Sequence, residues 1–200
     1  MKKTIAYITV FILILTMFSG CSIISNLADK DSGEEVKQSD SGNKEDTKDK
    51  DSDSQTLKSD LSPISVTFPG DWKDSSLVED ASIEMANYAA EKYFVIIEET
   101  SVDFADGFTY EDYAKLIMDQ MSSNITDAEV SGPESVTVGN NIPAVQYELA
   151  GTIEQVKIKY LLTCFENDGV FYQALAWSLQ SAYQGVKSDF IGILGSISFD

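Results

Sequence analysis

The uneven placement of apolar residues along the chain limits which part of it can fold. Residues 1–20 are apolar after a short basic start, residues 22–60 hold almost no apolar side chains, and residues 61–200 carry nearly all the aromatic ones. A segment with little apolar area to bury cannot offset its loss of conformational entropy. We therefore expect a signal at residues 1–20, a disordered linker at 21–60 and one folded domain at 61–200.

The charge of the chain excludes several classes of function. Residues 61–200 carry 22 acidic residues and 6 lysines, a formal charge of −16, and the whole chain has no histidine and no arginine. Such a domain repels nucleic acid and anionic lipid headgroups. The missing side chains exclude Ser–His–Asp and Cys–His catalysis, typical zinc sites and arginine-clamped anion sites. We expect an acidic surface that confers solubility, with binding of cations or of a basic partner as the alternative, and no cofactor.

The N-terminus has the pattern of an export signal. Lys2 and Lys3 precede an apolar run over residues 5–18, which is short for a bilayer span and typical of a signal peptide. The run ends in Phe18-Ser19-Gly20-Cys21, which resembles the bacterial lipobox cut by signal peptidase II. That resemblance implies lipidation of Cys21 and a protein anchored in the cell membrane at its extracytoplasmic face. The alternatives are an uncleaved signal anchor and cleavage at another site without lipid.

The linker offers one pattern that resembles a metal site. Asp49, Asp51 and Asp53 are spaced like the first ligands of an EF-hand loop. The loop needs glycine at its sixth position and glutamate at its twelfth, and those positions hold Ser54 and Asp60. We reject a calcium loop here.

The domain shows alternating strand patterns separated by two helical ones. Apolar alternation and turn residues predict strands at 64–68, 81–88, 93–100, 136–138, 144–150, 155–165, 170–177 and 196–199. Helical spacing predicts one helix from a capping box at 109–112 to residue 125 and another from residue 181 to Gly195. Asn167-Asp168-Gly169 predicts a tight hairpin. The order predicts an α+β sandwich with a mainly antiparallel sheet.

Four short segments in this order resemble the PsbP-like domain, a family that includes DcrB-like bacterial lipoproteins. They are Phe68-Pro69-Gly70-Asp71-Trp72, the segment 108–113, the segment 168–172 and Ile197-Ser198-Phe199. The resemblance covers residues 61–200. It implies an α/β/α sandwich with a central antiparallel sheet and two main helices, and a role in binding or assembly rather than catalysis. It carries over no functional residue, because a fold does not determine a function.

Two groups of side chains in the domain are candidates for contacts. Trp72, Tyr172 and Trp177 could line a groove for a ligand or partner, and the alternative is packing in the core or at its rim. An acidic group after the third predicted strand could hold a divalent cation weakly, and the alternative is solvated acids. Its members are Glu98, Glu99, Asp103 and Asp106. Adjacent Glu98 and Glu99 point to opposite faces of a regular strand, which disfavours a carboxylate-pair catalyst. Cys164 is expected to be a buried, inert thiol.

Three functions remain open from the sequence. The first is a non-enzymatic lipoprotein that binds or assists another envelope protein. It predicts an exposed apolar patch or strand edge and no deep polar pocket. The second is a lipoprotein that binds a small ligand or a divalent cation, and it predicts acids and aromatic rings around a concave site. The third, a hydrolase that uses carboxylates alone, is disfavoured by the missing residue types.

Overall fold

The computed structural model of the protein describes residues 54–199. The predictions for the signal at residues 1–20, for Cys21 and for most of the linker fall on residues outside this range. Within the described range, no helix is long and apolar enough to cross a bilayer.

The described chain forms ten strands, two α-helices and one short 3-10 helix. In chain order they are β1 (Ser54–Lys58), β2 (Ile64–Pro69), β3 (Lys73–Asp74), β4 (Ala81–Asn87), β5 (Lys92–Thr100), the 3-10 helix (Ser101–Asp103), α1 (Tyr110–Ser123), β6 (Thr126–Val138), β7 (Ile142–Ile153), β8 (Val156–Asn167), β9 (Val170–Leu179), α2 (Tyr183–Gly195) and β10 (Ser198–Phe199).

These elements form three layers around a central antiparallel sheet. The sheet has seven strands in the order β3-β4-β5-β9-β8-β7-β6. Helix α1 packs on one face of it, mainly over β7 and β8. Helix α2 lies on the other face together with a small sheet of order β1-β2-β10. The predicted α+β class and the α/β/α sandwich with two main helices are confirmed.

Strand alternation divides the core into two clusters. On β5, Phe94 and Ile96 face α2 and the small sheet, whereas Val95 faces α1. Successive side chains of a strand point to opposite faces, so a strand covered on both sides is apolar at consecutive positions. We name the two sides of the seven-stranded sheet the α1 face and the α2 face.

Local signals in the sequence explain two of the element boundaries. Thr109 and Asp112 form the predicted capping box at the start of α1, in which each side chain accepts from the other's backbone N–H. Asp168 and Gly169 both have positive φ, as the primed turn between β8 and β9 requires.

Strand β1 corrects the predicted start of the domain. It lies within residues 21–60, the predicted linker, and pairs antiparallel with β2 from Ser54 opposite Pro69 to Lys58 opposite Ser65. Its polar sequence lacks the apolar alternation that predicts a strand. The segment becomes a strand only because it pairs with β2. The folded part of the chain therefore begins no later than Ser54.

Strand β6 corrects the predicted strand at 136–138, which is only its last part. The strand begins at Thr126, and its residues up to Ser135 are exposed. It is an edge strand with two register shifts in its pairing to β7 and a proline, Pro133, in its middle. An exposed edge strand lacks the apolar alternation on which the prediction depended.

Candidate functional site

The three aromatic residues predicted to share a groove lie on two different faces. Trp72 is fully buried beneath α2, where its ring lies 5.6 Å from that of Phe68. Tyr172 is also buried on the α2 face and stacks on Phe165 at 5.0 Å. Trp177 lies on the α1 face, because an odd number of strand positions separates it from Tyr172. The predicted grouping is therefore wrong, and for Trp72 and Tyr172 the alternative of core packing is confirmed.

The predicted acidic group does not converge on a metal site. Glu99 accepts a hydrogen bond of 2.5 Å from the hydroxyl of Tyr113 on α1, whereas Glu98 lies opposite Tyr172 on the other face. Burial, and then the charge of Glu99, raises the pKa of Tyr113, so this hydroxyl stays a donor. No group of three or more metal-ligating side chains occurs in residues 54–199, so Asp103 and Asp106 complete no such site.

Cys164 is buried, as predicted. Its side chain is fully enclosed in the cluster beneath α1, and burial followed by the charge of Glu99 raises the pKa of the thiol. A thiol that is both neutral and inaccessible is not a nucleophile.

Four aromatic side chains form a continuous row on the α1 face, which we call the aromatic row: Tyr88, Tyr93, Trp177 and Tyr160. Tyr93 on β5, Trp177 on β9 and Tyr160 on β8 are directly opposite one another across neighbouring strands. Tyr93 and Trp177 stack at 5.2 Å with 17° between their planes, and Trp177 and Tyr160 are 5.9 Å apart. Tyr88, in the turn before β5, meets Tyr93 edge to face at 6.1 Å.

The row runs from the core to the solvent. Tyr160 is buried, and that burial raises the pKa of its hydroxyl to about 12. Tyr93 and Trp177 are half-buried, and Tyr88 is 58% exposed. Burial, followed by the charge of Glu91 and the nearby Tyr88, raises the pKa of Tyr93. The aromatic row therefore has a fixed inner end and an outer end that solvent and other molecules can reach.

A buried asparagine fixes the turn that carries Tyr88. The side-chain amide of Asn87 donates to Asp71 at 2.6 Å, and its carbonyl oxygen accepts from the backbone N–H of Ala90 at 3.0 Å. The backbone N–H of Glu91 then donates to the carbonyl of Tyr88. These bonds hold Tyr88 and Glu91 on one short turn.

At this end of the sheet, the α2 face has a largely buried ion pair where the α1 face has exposed rings. Lys92 precedes Tyr93 on β5, so its side chain points to the α2 face. Its ammonium lies 2.7 Å from Asp189 of α2 and 5.5 Å from the centre of the Trp72 ring. The Lys92 side chain is only 8% exposed, whereas that of Asp189 is 43% exposed.

A second ion-pair group lies further along the same face. Glu148 on β7 pairs with Lys159 on β8 at 2.5 Å and with Lys187 on α2 at 2.7 Å, and it accepts from the hydroxyl of Tyr183 at 3.1 Å. Burial acts to raise the pKa of Glu148, but the hydrogen bonds from the two lysines outweigh it and the pKa is lowered. The group ties α2 to the sheet.

A groove of about 840 Å³ opens between α2 and the turn after β2. Its lining includes the Lys92–Asp189 pair, Asp71, Phe68 and Gly192. A methyl group added at Gly192 would contact nothing within 4 Å, so the helix leaves this side of the groove open. The groove is concave and its lining mixes charged with apolar side chains, but no ring of the aromatic row lines it.

The sequence held a signal for part of this arrangement. In a hairpin whose turn is Asp168-Gly169, Tyr160 and Trp177 are equally distant from the turn and must therefore be opposite each other. Tyr93 joins them only through the pairing of β5 with β9, which links distant parts of the chain. Sequence reasoning missed Tyr88, Tyr93 and the partners of Lys92 for that reason.

Comparison with known proteins identifies the fold. No protein-family model and no curated protein sequence matches the chain. The solution structure of cyanobacterial PsbP (CyanoP) from Synechocystis is similar at 12% identity, with a TM-score of 0.55, and the match covers 80% of this chain and 98% of that one. A crystal structure from Bacteroides thetaiotaomicron matches at 10% identity and a TM-score of 0.51, over 72% of this chain and 48% of that one.

A weaker similarity is to LpqN, described as involved in cell envelope biogenesis of Mycobacterium tuberculosis. It is 17% identical over 74% of this chain and 92% of that one, with a TM-score of 0.49. At these identities the two similarities with a TM-score above 0.5 establish the fold alone.

Proposed function

From the PsbP-like fold of this domain, we propose that the protein is a lipid-anchored, extracytoplasmic module that binds another envelope protein through the aromatic row. The anchor is the acyl-modified Cys21, and it holds the domain at the outer face of the cell membrane. Two or three acyl chains are needed for stable anchoring, and an acidic domain gains nothing from anionic headgroups.

The observation that carries the proposal is the exposed end of the aromatic row. Tyrosine and tryptophan are enriched where interfaces concentrate their binding energy. Tyr93 is already held between Trp177 and Tyr88, so a partner that contacts these rings orders few side chains on binding. Other exposed apolar side chains, such as Leu61 and Val102, are not part of an aromatic cluster and need no explanation.

The chemistry of the described residues supports binding over catalysis. The chain has no histidine and no arginine, and the thiol of Cys164 is buried and neutral. Glu98 and Glu99 point to opposite faces, so they form no carboxylate pair. A hydrolase that uses carboxylates alone would need two of them directed into one site.

Site-specific crosslinking in intact cells tests the binding role. A photoreactive amino acid replaces Tyr88 in one variant and Val102 in a matched control, both in the full-length protein. Val102 is 82% exposed and lies beyond the far end of β5, about 30 Å away for a strand of this length. We expect a discrete adduct with one envelope protein from position 88 and none from position 102. Equal adducts at both positions would contradict the proposal.

The anchor has its own test. Mass spectrometry of the native protein should find a chain that begins at Cys21 and carries a diacylglyceryl group. A Cys21→Ala variant should leave the membrane fraction. An unmodified Cys21, or a chain that retains Met1, rules out the lipid anchor, while the crosslinking result still decides the binding role.

The groove supports a second candidate function, the binding of a small ligand. Its volume lies within the range of roughly 300–1,000 Å³ that ligand sites occupy. Gly192→Phe should fill the groove, because a Cβ at that position meets no heavy atom within 4 Å and Gly192 lines the groove. Gly185→Phe is the matched control, since Gly185 lies in the same helix, is equally uncrowded and does not line the groove.

Small-molecule extracts of the cell envelope provide the test of this candidate. The candidate is favoured if an extract raises the melting temperature of the wild type and of Gly185→Phe but not that of Gly192→Phe. A rise that survives in both variants would contradict it.

A further inference from the structure

Strand alternation separates positive charge from the aromatic row. Each of the neighbouring pairs Lys92-Tyr93 and Lys159-Tyr160 sends its lysine to the α2 face and its tyrosine to the α1 face. Both lysines are paired there, with Asp189 and Glu148. The lysines that lie nearest to the row in the sequence are therefore turned away from it and already neutralised.

The outer end of the row keeps a negative charge. Glu91 is exposed and shares its turn with Tyr88. Its charge acts on the neighbouring ring of Tyr93. The faces of aromatic rings are themselves electron-rich, so both the rings and the carboxylate attract a cation. This end of the molecule is therefore both aromatic and anionic.

We propose that the outer end of the aromatic row binds a basic side chain, an arginine or lysine of the partner protein, against Tyr88 and Tyr93 with Glu91 as its counter-ion. This inference rests on the proposed function and names the chemistry of the partner. A cation within about 6 Å of such a ring gains roughly 0.5–1 kcal/mol when exposed and about 2 kcal/mol when desolvated. A purely apolar partner would offer the Glu91 carboxylate no ionic partner.

Charge complementarity selects this occupant over the others. Residues 54–199 carry 22 acidic residues and 7 lysines, a formal charge of −15. A second copy of the chain would meet this surface with the same sign of charge and with no arginine. Nucleic acid and anionic lipid are repelled by it. A basic segment of a partner is attracted over several ångströms before contact, which raises its rate of association.

A peptide titration of the full-length protein in zwitterionic detergent tests the inference. The probe is acetyl-tetraarginine amide, and acetyl-tetraglutamine amide is the neutral control. The chain has two tryptophans, of which Trp72 is buried and Trp177 is half-buried in the aromatic row. Saturable change in tryptophan fluorescence, together with amide shifts at residues 88–93, therefore reports binding at the row.

A matched glutamate separates the site from the general acidity of the domain. Glu154 is also exposed, also has a left-handed φ, near 48° against 50° for Glu91, and lies in the turn between β7 and β8. Three strand spacings, about 14 Å, separate β7 from β5, which exceeds the screening length of about 10 Å at 0.1 M salt. Glu91→Gln and Glu154→Gln remove the same charge at the two places.

The expected result is saturable binding of the arginine peptide and none of the glutamine peptide. Glu91→Gln should raise the Kd about threefold, Tyr88→Leu should raise it about fivefold, and Glu154→Gln should leave it unchanged. Equal weakening by the two glutamate variants, or a fluorescence that does not change, would overturn the inference. If position 88 forms an adduct in cells but the purified protein does not bind the arginine peptide, the inference of a basic partner is overturned. The proposed function as a binding module is then retained.

Discussion

The two faces of the sheet at the start of β5 use the same strands in opposite ways. On the α2 face, Lys92 is buried against Trp72 and paired with Asp189 of the helix. On the α1 face, Tyr93 is stacked beside Trp177 and leads to the exposed Tyr88. The ion pair on the α2 face holds the helix against the core. The rings on the α1 face are held in place by one another, and their outer end remains exposed to solvent. Side chains on the α2 face should therefore matter for stability, and the outer ones on the α1 face for binding.

Removal of Asp189 should give the largest loss of stability. Asp189→Ala leaves the buried ammonium of Lys92 without its partner, which costs about 3 kcal/mol of unfolding free energy. Lys92→Met leaves an aspartate that is 43% exposed and can be hydrated, so it should cost less, about 1 kcal/mol. Urea denaturation of the two variants measures the difference. Equal losses would show that the burial of Lys92 is not what makes the pair important.

Glu148→Gln should have the next largest effect, about 2 kcal/mol, because two lysines and a tyrosine hydroxyl lose a charged acceptor. The effect should depend on pH. Since folding lowers the pKa of Glu148, its contribution is present above the ordinary glutamate pKa of 4.5 and disappears as the pH falls through the lowered value. Denaturation curves at several pH values should therefore show wild type and variant converging under acid conditions. A constant difference down to low pH would contradict this account.

Trp177→Leu should have a smaller effect on stability, about 1 kcal/mol, because it removes the two ring contacts with Tyr93 and Tyr160 from a half-buried position. Thermal or urea unfolding measures it. A loss as large as that of Asp189→Ala would mean that the aromatic row is part of the core rather than a surface kept open.

Tyr88→Leu should have the smallest effect on stability, within about 0.5 kcal/mol, because the side chain is largely exposed. The same variant should weaken binding of the arginine peptide. This opposite ranking in the two assays is the sharpest form of the comparison between the faces. A marked loss of stability in Tyr88→Leu would assign the ring a structural role.

The parts of this molecule that could be predicted from the sequence are those with a local cause. The turn residues Asp168 and Gly169 predicted the hairpin, and Thr109 with Asp112 predicted the start of α1. Strand β1 and most of β6 were missed because their residues are polar or exposed, so neither has apolar alternation. Their formation depends on neighbouring strands that supply the hydrogen bonds.

The candidate site followed the same division. The position of Trp177 opposite Tyr160 could be derived from the hairpin, but its contact with Tyr93 required the pairing of β5 with β9. Trp72 was a candidate for a groove, with packing in the core or at its rim as the alternative. The structure turns it inward, where Phe68 and Phe190 enclose its ring. A turn residue can be predicted locally, but the direction of its neighbour's side chain depends on the packing of distant elements.

The most direct test of the central claim is crosslinking in intact cells from two exposed positions on opposite faces. Tyr88 on the α1 face and Ile191 on α2, which is 44% exposed, each receive the same photoreactive side chain in the full-length protein. The account predicts an adduct from position 88 that is weaker in the Glu91→Gln background, and none from position 191. An adduct from position 191 alone would contradict the assignment of the aromatic row as the binding surface.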